Sequence, residues 1–419
     1  MINYFVSKHL LKDKHIETFR LILVFFICCI AFSIPFGHDI GKKLLLCIFV
    51  LWLFFINKNH LLLLIKNKVL IFLSLFIFWN GISLIWSENV ELGIHNLSQM
   101  LRYLLLPIII YVTVIKKKDI KYILYAFSFG LLVNVIGSYA IYFDFYETYN
   151  SKVFNMPLTF LVYIQYSLLL SFFALLILYK FKEEEKKKEK IIYLLCFILV
   201  TVNLFISGGR TGYVVFFISF IFLLIKFCEV TLKRFTIIIS LIVCLFILMY
   251  NFDKNINDRV GKTFVSINNL IEIKDFNTSA GTRIAFYPLT YDILKQDNNS
   301  FLFGTGMGDV EEELHKSIER TKLIKTKYNH VHNSYLNLYL SSGIISLFLF
   351  LLFIYYLLNL RVYDNLINYV KYLFILNFSI GMFFDVFLTQ RTTMIYFSLI
   401  VALILSQHLI EDKERKGNV

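Results

Sequence analysis

Twelve apolar runs, most of them long enough to cross the hydrocarbon core of a bilayer, fix the class of this chain before any single residue is considered. A core of about 30 Å takes about 20 helical residues. Only a helix or a closed barrel satisfies its backbone hydrogen bonds in that setting. Barrel strands alternate apolar and polar residues, whereas these runs are continuously apolar, so the expected fold is an all-α polytopic membrane protein. The expected spans are 19–36, 41–57, 69–86, 101–115, 121–143, 158–179, 190–207, 211–227, 234–251, 334–360, 366–388 and 392–410. Composition agrees: 58% of the 419 residues are hydrophobic and mean hydropathy is +0.69, against an apolar share of about half in soluble domains. Lys8, Lys12, Lys14 and Arg20 flank the start of the first run, and no small-residue cleavage site follows it. It therefore reads as a retained helix and not a signal peptide.

Charge sets the orientation. With the N-terminus in the cytoplasm and strict alternation, the cytoplasmic segments hold 25 Lys/Arg and 12 Asp/Glu, including the run Lys180 to Lys190, and the outer side holds 17 of each. The whole net charge of +13 then lies inside, as the positive-inside rule requires. Both termini are expected in the cytoplasm. The basic balance is a topology signal, and no polar basic surface domain exists that would bind nucleic acid. The cysteines Cys28, Cys29, Cys47, Cys196, Cys228 and Cys244 all fall in or at the ends of spans, so no disulfide or Cys-x-x-Cys zinc site is expected.

One stretch breaks the apolar pattern. Residues 252–333 are polar and charge-balanced, with 11 Lys/Arg and 11 Asp/Glu. They divide the chain into 1–251 (spans one to nine), the 252–333 outer loop, and 334–419 (the last three spans and the tail), together one integrated membrane domain. Within the loop, 283–295 has helical apolar spacing, with Pro288 expected to kink or interrupt it. Residues 309–325 read as a second helix, acidic at its start (Asp309, Glu311, Glu312, Glu313) and basic at its end (Lys322, Lys325). Phe301–Gly308 is glycine-rich but lacks the strand and helix context of a dinucleotide loop. It reads as a tight turn on the membrane surface.

Polar groups at the edge of a membrane are costly and each needs a reason. Arg210, in Ser207-Gly-Gly-Arg-Thr-Gly212, follows two glycines that allow close backbone approach to a ligand, and it opens a helix whose N-terminus favours an anion. A snorkelling arginine at a hairpin turn fits the spacing as well. Arg283 opens the first loop helix. His332 sits where the chain re-enters the membrane, where a helix N-terminus disfavours imidazolium and leaves a proton acceptor. Asp385, flanked by Phe383-Phe384 and Val386-Phe387, wants a cationic partner, with Arg391 and His332 as candidates. Arg102 is a fifth group. All lie on the outer side. Arginine forks suit a diphosphate, and a neutral histidine can deprotonate a hydroxyl. No carboxylate-rich metal cage stands out in the loop, and neither a required metal nor a cofactor is expected.

The motifs Ser207–Gly212, Gly281-Thr-Arg283, Phe301–Gly308, His332-Asn-Ser-Tyr-Leu336 and Ser342-Gly-Ile-Ile-Ser346, in this order on a twelve-span layout, resemble the O-antigen ligase family within the ligase/polymerase superfamily. The resemblance implies a metal-independent, inverting membrane glycosyltransferase of the C type in a bacterial inner membrane. Its donor would be a glycan on polyprenyl (undecaprenyl) diphosphate and its acceptor a sugar hydroxyl of lipid A–core, with the site facing the periplasm and membrane lipids around it. Diphosphate binding would fall on Arg210 and Arg283, with Arg102 and Arg391 as further candidates, and catalysis on His332 and Asp385. The first motif departs from the family in having Gly209, not Ser, before Arg210, and the aromatic after the second arginine is Phe286 or Tyr287 where Trp is common. A repeat-unit polymerase and a protein O-oligosaccharyltransferase are the alternatives of the same kind. A lipid-linked glycan transporter is the rival of another kind, against which the nearly charge-free mid-span segments and the one-sided insert count. Oligomeric state is not readable from the sequence.

Overall fold

A computed structural model describes residues 13–56, 66–227, 254–297 and 299–417, with a few isolated positions between 236 and 251. No strand occurs among the described residues, and nine of their helices are long and apolar enough to cross a membrane, so the protein is an all-α, multi-pass membrane protein. In chain order the helices are α1 (Asp13–Ser33), α2 (His38–Leu53), α3 (Lys68–Ile82), α4 (Val90–Met100), a π-turn (Leu101–Leu105) and α5 (Leu106–Val114). Then come α6 (Lys117–Tyr142), α7 (Tyr149–Phe154), α8 (Tyr163–Glu183), α9 (Lys187–Ile206) and α10 (Arg210–Phe227). The polar segment supplies α11 (Lys254–Ile273), α12 (Ser279–Leu294), α13 (Ser300–Phe303) and α14 (Val310–Thr321), and the chain closes with α15 (Ser334–Leu358), α16 (Asn365–Gly381) and α17 (Arg391–Gly417).

Two helices are apolar all round and are buried all round, as that pattern demands. α8 is buried from Tyr166 to Ile177 and α17 from Thr392 to Gln407. α8 packs on α9, α10 and α16, and α17 packs on α5 and α16. Phe25, Phe78, Phe129 and Phe348 point outward, as they must where the solvent is lipid.

Several expectations need correction. The expected span 366–388 ends at Gly381, and residues 382–390 form turns that carry Asp385 clear of the helix. At 17 residues α16 is short, as is α2 at 16. The expected span 101–115 begins a full helix earlier, at Val90, because Asn89 caps α4 through the Leu92 amide. The expected span 234–251, with Cys228 and Cys244, lies outside the described residues apart from isolated positions. Pro288 neither interrupts nor ends α12, which runs on through it.

The 252–333 segment holds more order than the two helices expected of it. α11 was not foreseen. Phe286, Leu289, Ile293, Val310, Leu314, Ile318 and Val331 form a small core of their own against Leu340 of α15. Asp292 welds α12 to α14: its carboxylate accepts from Ser317 Oγ and Arg320 Nε, both at 2.9 Å, and pairs with Lys295 at 3.1 Å.

The glycine-rich stretch is not a surface turn. α15 breaks at Ser342 and Gly343 (φ +73°), which frees carbonyls that a straight helix would bond internally. Thr305 N–H donates to Leu340 O at 2.7 Å and Gly306 N–H to Ser341 O at 3.1 Å. Gly304 and Gly343 meet back to back: a Cβ on Gly343 would lie 2.0 Å from Leu302 O, and one on Gly304 2.6 Å from Gly343 N. Asp309 does not cap its own helix. Its carboxylate accepts from Ser87 Oγ and from the amides of Glu88 and Asn89, tying the segment to the start of α4.

Candidate functional site

Two helix N-termini bring the first pair of cations together. Arg210 is the first residue of α10, and Arg283 lies one turn into α12, which Thr278 caps through the Gly281 amide. Arg210 Nη2 donates to Ser279 Oγ at 2.6 Å, and Arg283 Nη1 reaches the same oxygen at 3.2 Å. Arg210 Nη1 also donates to Thr263 of α11 at 2.8 Å. Two like charges that share one hydroxyl repel each other, and the nearby helix N-termini add further positive potential. Arg283 Nε is buried with no hydrogen-bond acceptor among the described residues. An unpaired guanidinium N–H beside a helix N-terminus calls for an acceptor, and a phosphate oxygen is one that fits.

Gly209, directly before Arg210, and Gly212, after it, serve helix packing, while Gly208 takes the positive φ (+71°) of the turn. A Cβ on Gly209 would sit 2.2 Å from Ser167 Oγ and one on Gly212 2.4 Å from Ser167 Cβ, so both exist to let α10 press against α8. The same contact explains why glycine, not serine, precedes this arginine.

The second half of the site is a histidine and carboxylate pair. Asn333 caps α15 through the Tyr335 and Leu336 amides. Ser334 then stitches that end to the 382–390 turns: its N–H donates to Met382 O, its hydroxyl donates to Asp385 O, and it accepts from Phe387 N–H. Asp385 is thereby held beside His332, with Oδ1 3.3 Å from Nδ1. Gln390 Nε2 donates to Oδ2 at 2.8 Å and Val386 N–H to Oδ1 at 2.9 Å. Burial alone would raise the Asp385 carboxyl, but these donors together hold it below the usual carboxylate range. His332 adopts φ +45°, a left-handed conformation that costs a non-glycine residue about 1–3 kcal/mol and clusters at functional sites. Its ring rests on Phe286 and Tyr328, with centroids 5.8 and 5.7 Å away. Phe286 lies one turn beyond Arg283 on α12, so one helix serves both halves.

Of the two candidate partners for Asp385, His332 is the one that meets it. Arg391 points elsewhere, with Nε to Gln99 at 3.2 Å and Nη1 against His38 at 3.3 Å. Arg102, in the π-turn, is exposed and stands apart from both halves, beside Lys42 and Lys43.

Sequence reasoning missed three residues. Ser279 bridges the arginines, and no spacing rule marks it. Gln390 orders Asp385. His330 stacks edge-on against His332 at 4.3 Å and accepts the His332 amide at Nδ1. The His-x-His spacing was its signal, since alternate residues of an extended segment share a face. Burial, with His332 adding to it, pushes the His330 imidazole down to about 4. His330, His332 and Asp385 each bring a donor atom within 4.8 Å of the others, a set that could hold a metal ion and that sequence reading did not find. A cavity of about 170 Å³ opens beside His330, lined also by Gln99, Asn337, Ser341 and Thr389.

Residues 195–351 match the family model described as O-Antigen ligase. Over that segment the chain is similar to the O-antigen ligase family. No curated protein matches it. The O-antigen ligase segment takes in Arg210, Ser279, Arg283, His330 and His332, while Arg102, Asp385 and Arg391 come from outside it. Similarity to this ligase/polymerase superfamily points to a glycosyltransferase-type enzyme working on lipid-linked glycans in a membrane.

Proposed function

We propose that the protein transfers a glycan from a polyprenyl-diphosphate carrier to a sugar hydroxyl of lipid A–core on the periplasmic face of a bacterial inner membrane, as an O-antigen ligase. The observation that carries this reading is the convergence of Arg210 and Arg283 on one serine hydroxyl, on the same helix as Phe286, whose ring lies 5.8 Å from that of His332 in the His332–Asp385 pair. The arginines hold the diphosphate and neutralise it as it leaves. With Nδ1–H donated to Asp385, His332 keeps Nε2 bare as the base. Nε2 takes the acceptor hydroxyl proton, the oxygen attacks the anomeric carbon from the face opposite the diphosphate, and the bond to the diphosphate breaks. The configuration inverts. Asp385 stabilises the imidazolium that forms and is a positioning residue.

The reaction is read as metal-independent. Asp385 already accepts from three donors and His330 Nδ1 from a backbone amide, so these two members of the set are engaged with protein donors, and His332 Nε2 is kept for the base role.

Purified full-length protein supplied with lipid-linked glycan and lipid A–core tests the reading. Expected is product only when lipid A–core is present, unchanged by EDTA. His332→Ala should lower the rate by about 10²-fold or more and Arg210→Ala by about 10²–10³-fold. Full activity in both variants would sink the mechanism. Longer lipid-linked chains without lipid A–core would make the protein a repeat-unit polymerase, and glycan on a Ser/Thr peptide a protein O-oligosaccharyltransferase. Movement of intact carrier lipid across the bilayer with no transfer would make it a transporter.

A further inference from the structure

A groove of about 340 Å³ runs between α2 and the π-turn with α5. One wall is Lys42, Lys43, Leu45, Leu46 and Phe49; the other is Arg102, Tyr103, Leu106, Pro107 and Ile110. The two walls order in the same way along their helices: cations first, then apolar side chains. At 1.5 Å per residue, Phe49 and Ile110 lie about 10 Å deeper than Lys42 and Arg102. The groove therefore has a cationic mouth and an apolar floor, which is the profile of a lipid carrying anionic headgroup charge.

The mouth is uncompensated. Lys42, Lys43 and Arg102 are exposed and make no hydrogen bond or ion pair with any described residue. Three unpaired cations around one opening call for more than one anionic charge. A backbone anomaly lies here too, since Arg102 sits in a π-turn, a form that is often found at functional positions.

Residues beside the mouth are linked to the reacting groups. Arg391 bonds His38, the first residue of α2, and Gln99, one turn before Arg102. Its neighbour Gln390 bonds Asp385, which pairs with His332. A headgroup at Lys42, Lys43 and Arg102 would thus border residues linked through Arg391 and Gln390 to the His332–Asp385 pair.

We infer that this groove holds the second lipid substrate, an acylated acceptor glycolipid bearing phosphate groups, by its phosphates at Lys42, Lys43 and Arg102 and one chain along Phe49 and Ile110. The inference rests on the reading of the protein as a transferase between two lipids. Arg102 is then an acceptor-binding residue and not a donor-diphosphate ligand.

Equilibrium binding to the full-length protein tests it without turnover. The probes are an acylated disaccharide bisphosphate, its dephosphorylated form, phosphatidylglycerol and polyprenyl diphosphate. The native protein should prefer the bisphosphate over the dephosphorylated lipid by about ten-fold or more, as charge-assisted phosphate contacts provide. The variant K42Q/K43Q/R102Q should lose that preference, Arg102→Gln alone should lose part of it, and Arg283→Ala should keep it. The inference is overturned if the triple variant keeps the preference, or if phosphatidylglycerol or polyprenyl diphosphate competes as well as the bisphosphate. Phosphate-dependent binding by a protein that transfers no glycan would support the groove and overturn only the transferase reading.

Discussion

His332 is held in a left-handed backbone conformation by its surroundings, and those surroundings respond to acid. His330 accepts the His332 amide and keeps its own ring neutral down to about pH 4, whereas an unfolded histidine titrates near 6.5. A folded-state value below the unfolded one means that the folded site takes up the proton less readily, so the stability it contributes is intact above about pH 6.5 and is lost as pH falls towards 4. Asp385, held below the usual carboxylate range, acts in the same direction: its contribution is present once the unfolded carboxyl is ionised and fades as acid protonates the folded one. Thermal stability of the purified protein should therefore drop as pH falls from 6.5 to 4, and His330→Asn should flatten that slope; equal slopes in both proteins would show that His330 does not set it.

At the scale of elements, the break in α15 and the glycine stretch facing it form one device. Gly343→Ala would place a Cβ 2.0 Å from Leu302 O at φ +73°, and should cost more than about 2 kcal/mol. Gly261→Ala, in the interior of α11 with nothing within 4 Å, should be neutral or stabilise by about 0.5–1 kcal/mol. Melting curves of the two variants in one detergent check both, and equal melting temperatures would contradict the first. In the sequence, Phe301–Gly308 read as a tight surface turn and Ser342–Ser346 as a separate motif, not as one device. Periodicity reports which face of a helix is apolar; it does not report which distant backbone a glycine leaves room for. Arg283 and His332 were legible because charge at a membrane edge is costly and so conspicuous. Ser279 was not, since a serine there costs nothing. Asp385 was found, but its helix was drawn too long, because the apolar run continues through the turns at 382–390.

For the whole molecule, the apolar runs announced the all-α membrane class, with nine helices able to cross a membrane among the described residues, and one buried cluster far from the site helps to close it. Arg20, only 3% exposed, pairs with Asp119 of α6, donates to Val114 O of α5 at 3.0 Å and meets Glu17 at 2.9 Å. Sequence analysis counted Arg20 only as a topology charge. Asp119→Ala leaves that cation buried with part of its shell, and should cost about 3 kcal/mol, the low end for a broken buried pair. Arg20→Met combined with Asp119→Leu should recover most of it in a melting series, and failure of the pair to recover would assign the loss to the Asp119 contact with Lys116 N–H instead. The stitched glycine stretch has a consequence at this scale. A segment whose backbone fills a broken span cannot swing away as a hinged cover would. On the proposed transferase reading, a stretch fixed in this way leaves its lipid substrates to enter sideways between helices, with the bilayer itself as the corridor.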